Sequence, residues 1–86
     1  MLNRQIVAQH LGDYLKGQTS LSTLVDWAEI AIMEGDLEPG NEKLLMQLLG
    51  RIAAADVKEF GLLWEDCEDI MQQLGFIIKV DVLKAA

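Results

Sequence analysis

Ser20-Leu21-Ser22-Thr23-Leu24-Val25-Asp26-Trp27-Ala28-Glu29-Ile30-Ala31-Ile32-Met33-Glu34-Gly35 is the stretch whose reading decides the fold. At about 3.6 residues per turn, Leu21, Leu24, Val25, Ala28, Ala31 and Ile32 fall on one stripe of a helix. Trp27 and Ile30 widen that stripe past half the circumference. Only Ser22, Asp26 and Glu29 form a polar strip, and Met33 continues it poorly. A helix lying on the surface has a narrower apolar face, so this one is expected to be gripped from several sides as the hub of a helical domain. Ser20 is a good N-cap, and Gly35 closes the helix.

Upstream, residues 2–16 repeat Leu2, Ile6, Val7, His10, Leu11, Tyr14 and Leu15 at three- and four-residue steps, which predicts a first helix. Gly12 costs that helix about 1 kcal/mol relative to alanine, or marks a close approach to another helix. Lys16 suits the negative C-terminal end, and Gly17 supplies the left-handed stop. Gln18 and Thr19 form a short link, which favours an antiparallel or steeply crossed helix pair.

Downstream, Asp36-Leu37-Glu38-Pro39-Gly40 is the one clear loop, because Pro39 disfavours helix at Glu38 and Gly40 supplies a turn. Asn41 then caps a third helix reaching about residue 55, with Leu44, Leu45, Leu48, Leu49 and Ile52 inward. Asp56-Val57-Lys58-Glu59 has capping-box spacing, and Phe60-Gly61 limits that segment to a short helix or corner. A fourth substantial helix over 63–74 turns Trp64, Cys67, Ile70, Met71 and Leu74 inward, and Gly75 ends it. From Phe76 the pattern changes: Ile78, Val80 and Val82 alternate with Lys79 and Asp81, the period of a strand. No other segment offers a ladder partner. This tail therefore pairs with a second copy through Ile77, Ile78, Val80 and Val82, pairs with another chain, or folds as a last helical turn. The expectation is an all-α, single-domain bundle of four to five helices over residues 1–86, with an extended C-terminal tail from 76.

Composition narrows the function. Half the 86 residues are apolar (51%), with fourteen acidic against seven basic side chains and a net charge of −7. The lysines and arginines are scattered singly, so neither a nucleic-acid backbone nor an anionic membrane finds a basic face. An acidic surface suits solubility or a basic protein partner. No apolar run approaches the roughly 20 residues of a membrane span. With no secretory leader pattern and a single cysteine, the cytoplasm is the expected location.

Candidate chemistry is sparse. His10, the one histidine, has no local partner for general-base work and reads as a packed side chain. Cys67, between Asp66 and Glu68 on an apolar face, reads as a core thiol. One cysteine and one histidine do not make a zinc site. The acidic 34–42 loop fails calcium-loop spacing, since Gly40 and Asn41 stand where an oxygen ligand and the turn glycine belong. No cofactor is expected, and the chain reads as non-enzymatic. Its best lead is the outer face of the fourth helix, where Glu65, Glu68, Asp69 and Gln72 stand together with Asp66 beside them. Acids near a helix start complement the dipole, which explains part of this ridge, and docking of a basic partner is its functional reading.

Two resemblances bear on that lead. Tyr14-Leu15-Lys16-Gly17-Gln18-Thr19-Ser20-Leu21-Ser22-Thr23-Leu24-Val25-Asp26-Trp27 resembles an opening found in small helical bacterial proteins of the colicin-immunity kind, over fourteen of the 86 residues. It implies a cytosolic protein that neutralises a toxin by covering a basic nuclease site with acidic side chains. No toxin-contacting residue can be matched onto this chain. Gly17-Gln18-Thr19-Ser20-Leu21 is similar to the acyl carrier proteins, whose serine carries phosphopantetheine, which would make Ser20 the modified residue. Thr19 stands where that family has Asp, and Ser20 comes too early for that family's long first helix. An acidic homodimeric adaptor is the remaining alternative.

Overall fold

A computed structural model describes residues 1–55 and 63–78. Among these the chain is helical, with four helices: α1 (Arg4–Leu15), α2 (Leu21–Glu34), α3 (Glu42–Ala54) and α4 (Trp64–Leu74). The short helix expected over 56–60 lies outside the described residues. The described part thus holds four helices rather than four to five.

α1 begins two residues later than its periodicity suggests. Leu2 is extended, and its N–H donates to the Asp36 carbonyl at 2.8 Å while its carbonyl accepts from the Glu38 N–H at 2.8 Å. Leu2 and Leu37 thereby form an isolated parallel bridge, and Leu37, plain loop by its sequence, is buried. Asn3 becomes the N-cap, its side chain accepting from the Ile6 N–H at 2.8 Å. The Arg4 N–H donates to Glu38 Oε1 at 3.1 Å. That backbone hydrogen bond is the chief reason the Glu38 carboxyl lies below its ordinary pKa, and the Arg4 side chain, with Nε at 3.4 Å, adds to it.

α2 has the ends its sequence announces. Ser20 Oγ accepts from the Thr23 N–H at 3.1 Å, and Gly35 takes the left-handed conformation (φ 64°) with its N–H donating to the Ala31 carbonyl. Its middle is covered less widely than the apolar stripe suggests. Leu24, Val25, Ala28 and Ala31 are buried and Trp27 is half-buried, whereas Ile30 is 56% and Met33 85% exposed. The reason is placement. α2 lies closest along α3 and touches α1 on another flank, so its remaining side faces out among the described residues.

The deepest apolar layer belongs to α3. Leu45, Leu48, Leu49 and Ile52 are wholly buried, and each contributes about 2 kcal/mol of apolar burial. Asn41 holds the N-cap position of α3, as expected, but its side chain makes no capping bond. α4 adds Cys67, Ile70, Met71 and Leu74 to the same cluster, and α1 adds Val7, Ala8 and Leu11. α1 lies against α4 as well as α2, and the approach does not require glycine at Gly12: a Cβ there would make an ordinary contact, 3.8 Å from Met71 Cε.

One expectation about α4 needs correction. Periodicity turns Trp64 inward, but it is 45% exposed. It stands at the edge of the inner stripe in the first turn, where its indole N–H needs an acceptor and finds Glu68 Oε1 at 2.6 Å on the outer face. After Gly75 (φ 93°), residues 76–78 form neither helix nor strand. Ile78 packs half-buried on the core, and Ile77 is 88% exposed. Val80 and Val82, with the rest of the period-two pattern, lie outside the described residues. No helix among the described residues is long and apolar enough to cross a membrane.

Candidate functional site

The acidic face of α4 is assembled by the alternation of its own helix. With Cys67, Ile70, Met71 and Leu74 buried, the intervening Glu65, Glu68, Asp69 and Gln72 are exposed and Asp66 is half-buried. The five residues singled out from sequence therefore share one surface. Their separate duties differ.

Asp66 accepts from the Leu63 N–H at 3.1 Å. This is the acidic half of a capping box, reached back from the third helical position to a cap residue that has no side-chain oxygen of its own. Asp69 accepts from Arg51 Nη1 at 2.6 Å and from Gln73 Nε2 at 3.0 Å. Arg51 also reaches Asp66 at 3.5 Å. A guanidinium from α3 thus ties two carboxylates of α4 and helps hold the two helices together. Glu68 accepts the Trp64 indole N–H. Periodicity assigns Arg51 only to the weaker side of α3, because nothing local says which helix that side faces. The available signal is its position as a lone cation in the last turn of α3, a helix in need of an acidic neighbour.

These internal bonds leave the face negative. Arg51 pairs with Asp66 and Asp69, and no ion pair among the described residues involves Glu65 or Glu68, so most of the charge of the four carboxylates is not offset there. Next to the ridge, Glu68 and Gln72 line a shallow depression of about 230 Å³ together with Phe76, Ile77 and Ile78. The acids and the apolar start of the tail, two separate features in the sequence, form one continuous surface.

The remaining candidates make contacts of their own. His10 stacks on Trp27 with ring centroids 3.9 Å apart and planes 10° from parallel, a contact between helices that its own helix could not reveal. Cys67 is buried, and burial, helped by the Asp66 charge and partly opposed by Arg51, pushes its thiol pKa up. A group held that way is a poor nucleophile. The Ser20 hydroxyl, besides capping α2, donates to Thr23 Oγ1 at 2.9 Å.

No protein-family model, no curated protein and no solved structure matches this chain.

Proposed function

We propose that the chain is a non-enzymatic protein-binding module that covers a basic surface of a partner protein with the outer face of α4, in the manner of an immunity or inhibitor protein. One observation carries this reading: Glu68 and Gln72 belong both to the acidic ridge and to the depression formed with Phe76, Ile77 and Ile78. A surface that sets carboxylates without a cationic partner among the described residues beside exposed apolar side chains offers charge to steer a basic partner and apolar area to hold it. Cationic side chains would settle on Glu65 and Glu68, which bear less of the internal bonding than Asp66 and Asp69. An apolar side chain would enter beside Phe76.

A homodimer through the tail is the alternative, and a twofold pairing across Ile77 and Ile78 would bring the Glu68 of both copies to one interface, a charge that pairing has to accommodate. The test is binding of a partner isolated from the native host and then purified. Glu65→Lys with Glu68→Lys should weaken that complex at least tenfold, and Glu68→Gln, which keeps an acceptor for Trp64, should weaken it less. Unaltered binding by the double variant would refute the proposal. Sedimentation of the wild-type chain beside Ile77→Lys checks the dimer, which requires the variant to fall to half the mass.

A further inference from the structure

α2 carries more apolar surface than the other described residues cover, and the excess lies beside a second depression. Ile30 is 56% and Met33 85% exposed. Met1, Trp27, Ile30 and Ala31, with Glu34 and Asp36, line a hollow of about 340 Å³. That is the low end of the roughly 300–1,000 Å³ typical of ligand pockets, and suits one or two inserted side chains. One wall is already rigid, because the Trp27 ring is stacked on His10 at 3.9 Å. A fixed aromatic wall loses little freedom when a partner arrives.

Charge decides the occupant. α2 has no lysine or arginine, and Asp26, Glu29 and Glu34 are all exposed along it. Asp36 holds the N-terminal amine at 3.2 Å, which makes Glu34 the acid an incoming cation meets. A second copy, with net charge −7, would bring the same acids face to face. An anionic lipid surface is repelled likewise.

We infer that the α2 hollow is a second docking surface, separate from the α4 face, that takes a large apolar side chain of a partner protein flanked by lysine or arginine. The apolar residue enters between Ile30 and Trp27, and a neighbouring cation pairs with Glu34. The reading goes beyond the α4 proposal and stands on different residues.

The test uses the full chain, isotope-labelled, titrated with the amidated peptide Lys-Lys-Phe-Lys-Lys and followed by NMR at the Trp27 indole N–H and the Ile30 methyls. Saturable shifts at both are expected. The peptide with alanine in place of phenylalanine, and Glu-Glu-Phe-Glu-Glu, should each bind at least threefold more weakly. The exposed substitutions Ile30→Asp and Glu34→Lys should have the same effect, whereas Glu65→Lys with Glu68→Lys, which lowers only the overall charge, should weaken binding less than Glu34→Lys and leave the saturating shifts at Trp27 and Ile30 in place. No saturable shift at Trp27 and Ile30, an equal response to the alanine peptide, or undiminished binding by Ile30→Asp would overturn the inference. So would Ile30 shifts that depend on the concentration of the chain alone, since they would mark a second copy as the occupant.

Discussion

Arg51 shows how one side chain changes the meaning of its neighbours. Without it, Asp66 and Asp69 would be like charges on adjacent turns, which cost a helix a few tenths of a kcal/mol. With Nη1 at 2.6 Å from Asp69 and Nη2 at 3.5 Å from Asp66, they become the link between α3 and α4. All three side chains are partly exposed, so the link is screened. Arg51→Met should lower stability by only about 1 kcal/mol, and the coupling to Asp69→Asn in a double-mutant cycle should be roughly 0.5–1 kcal/mol. Urea denaturation of the four chains measures both. A coupling near zero would mean that the bond between Arg51 and Asp69 does not hold the helices together. Asp69 is therefore unsuitable as a probe of partner binding, whereas Glu65 is well suited.

At the scale of elements, the two helical glycines separate by what surrounds them. Gly50 lies exposed in α3, with nothing within 4 Å of where a Cβ would be, and Gly12 has only Met71 Cε at 3.8 Å. Neither has a positive φ. Gly50→Ala should therefore stabilise the protein by roughly 0.5–1 kcal/mol through helix propensity alone, and Gly12→Ala by a similar or smaller amount. Thermal unfolding checks the pair, and a destabilised Gly12→Ala would show that α1 and α4 are closer than a methyl allows.

The start of α1 makes a pH-dependent contribution. Glu38 accepts from the Arg4 N–H and side chain, and its pKa is lowered from an ordinary 4.5. A carboxyl lowered on folding stabilises the native state above its unfolded pKa, and that contribution is lost as pH falls through the folded value. Glu38→Gln should thus be less stable than wild type at pH 7, with the gap closing below about pH 4.5. Urea midpoints across that range report it, and a gap constant with pH would assign the cost to something other than the charge.

For the molecule as a whole, the excess of acid governs how it meets partners. At a net charge of −7, association with a basic protein should be accelerated by attraction at long range. Its on-rate should fall several-fold between roughly 0.01 and 0.15 M salt, as the screening length shrinks from about 30 to 8 Å. The off-rate, set by contacts such as those around Phe76, should change less. Stopped-flow mixing at both salt concentrations measures the two rates. An on-rate indifferent to salt would detach the acidic surface from the proposed function.

Helix ends and inner stripes were legible in the sequence because they depend on neighbours three or four positions away. Ser20 and Gly35 bound α2, and Leu45, Leu48, Leu49 and Ile52 line the core, as local periodicity and backbone preference dictate. The acidic face of α4 was legible for the same reason. What depended on contacts between distant segments was not: the Leu2–Leu37 bridge that displaces the start of α1, the stacking of His10 on Trp27, and Arg51 reaching from α3 to α4. The exposure of Ile30 and Met33 belongs there too. A helix records how much apolar surface it carries, but which part is covered depends on where its neighbours lie, and those positions are set by the packing of the whole core.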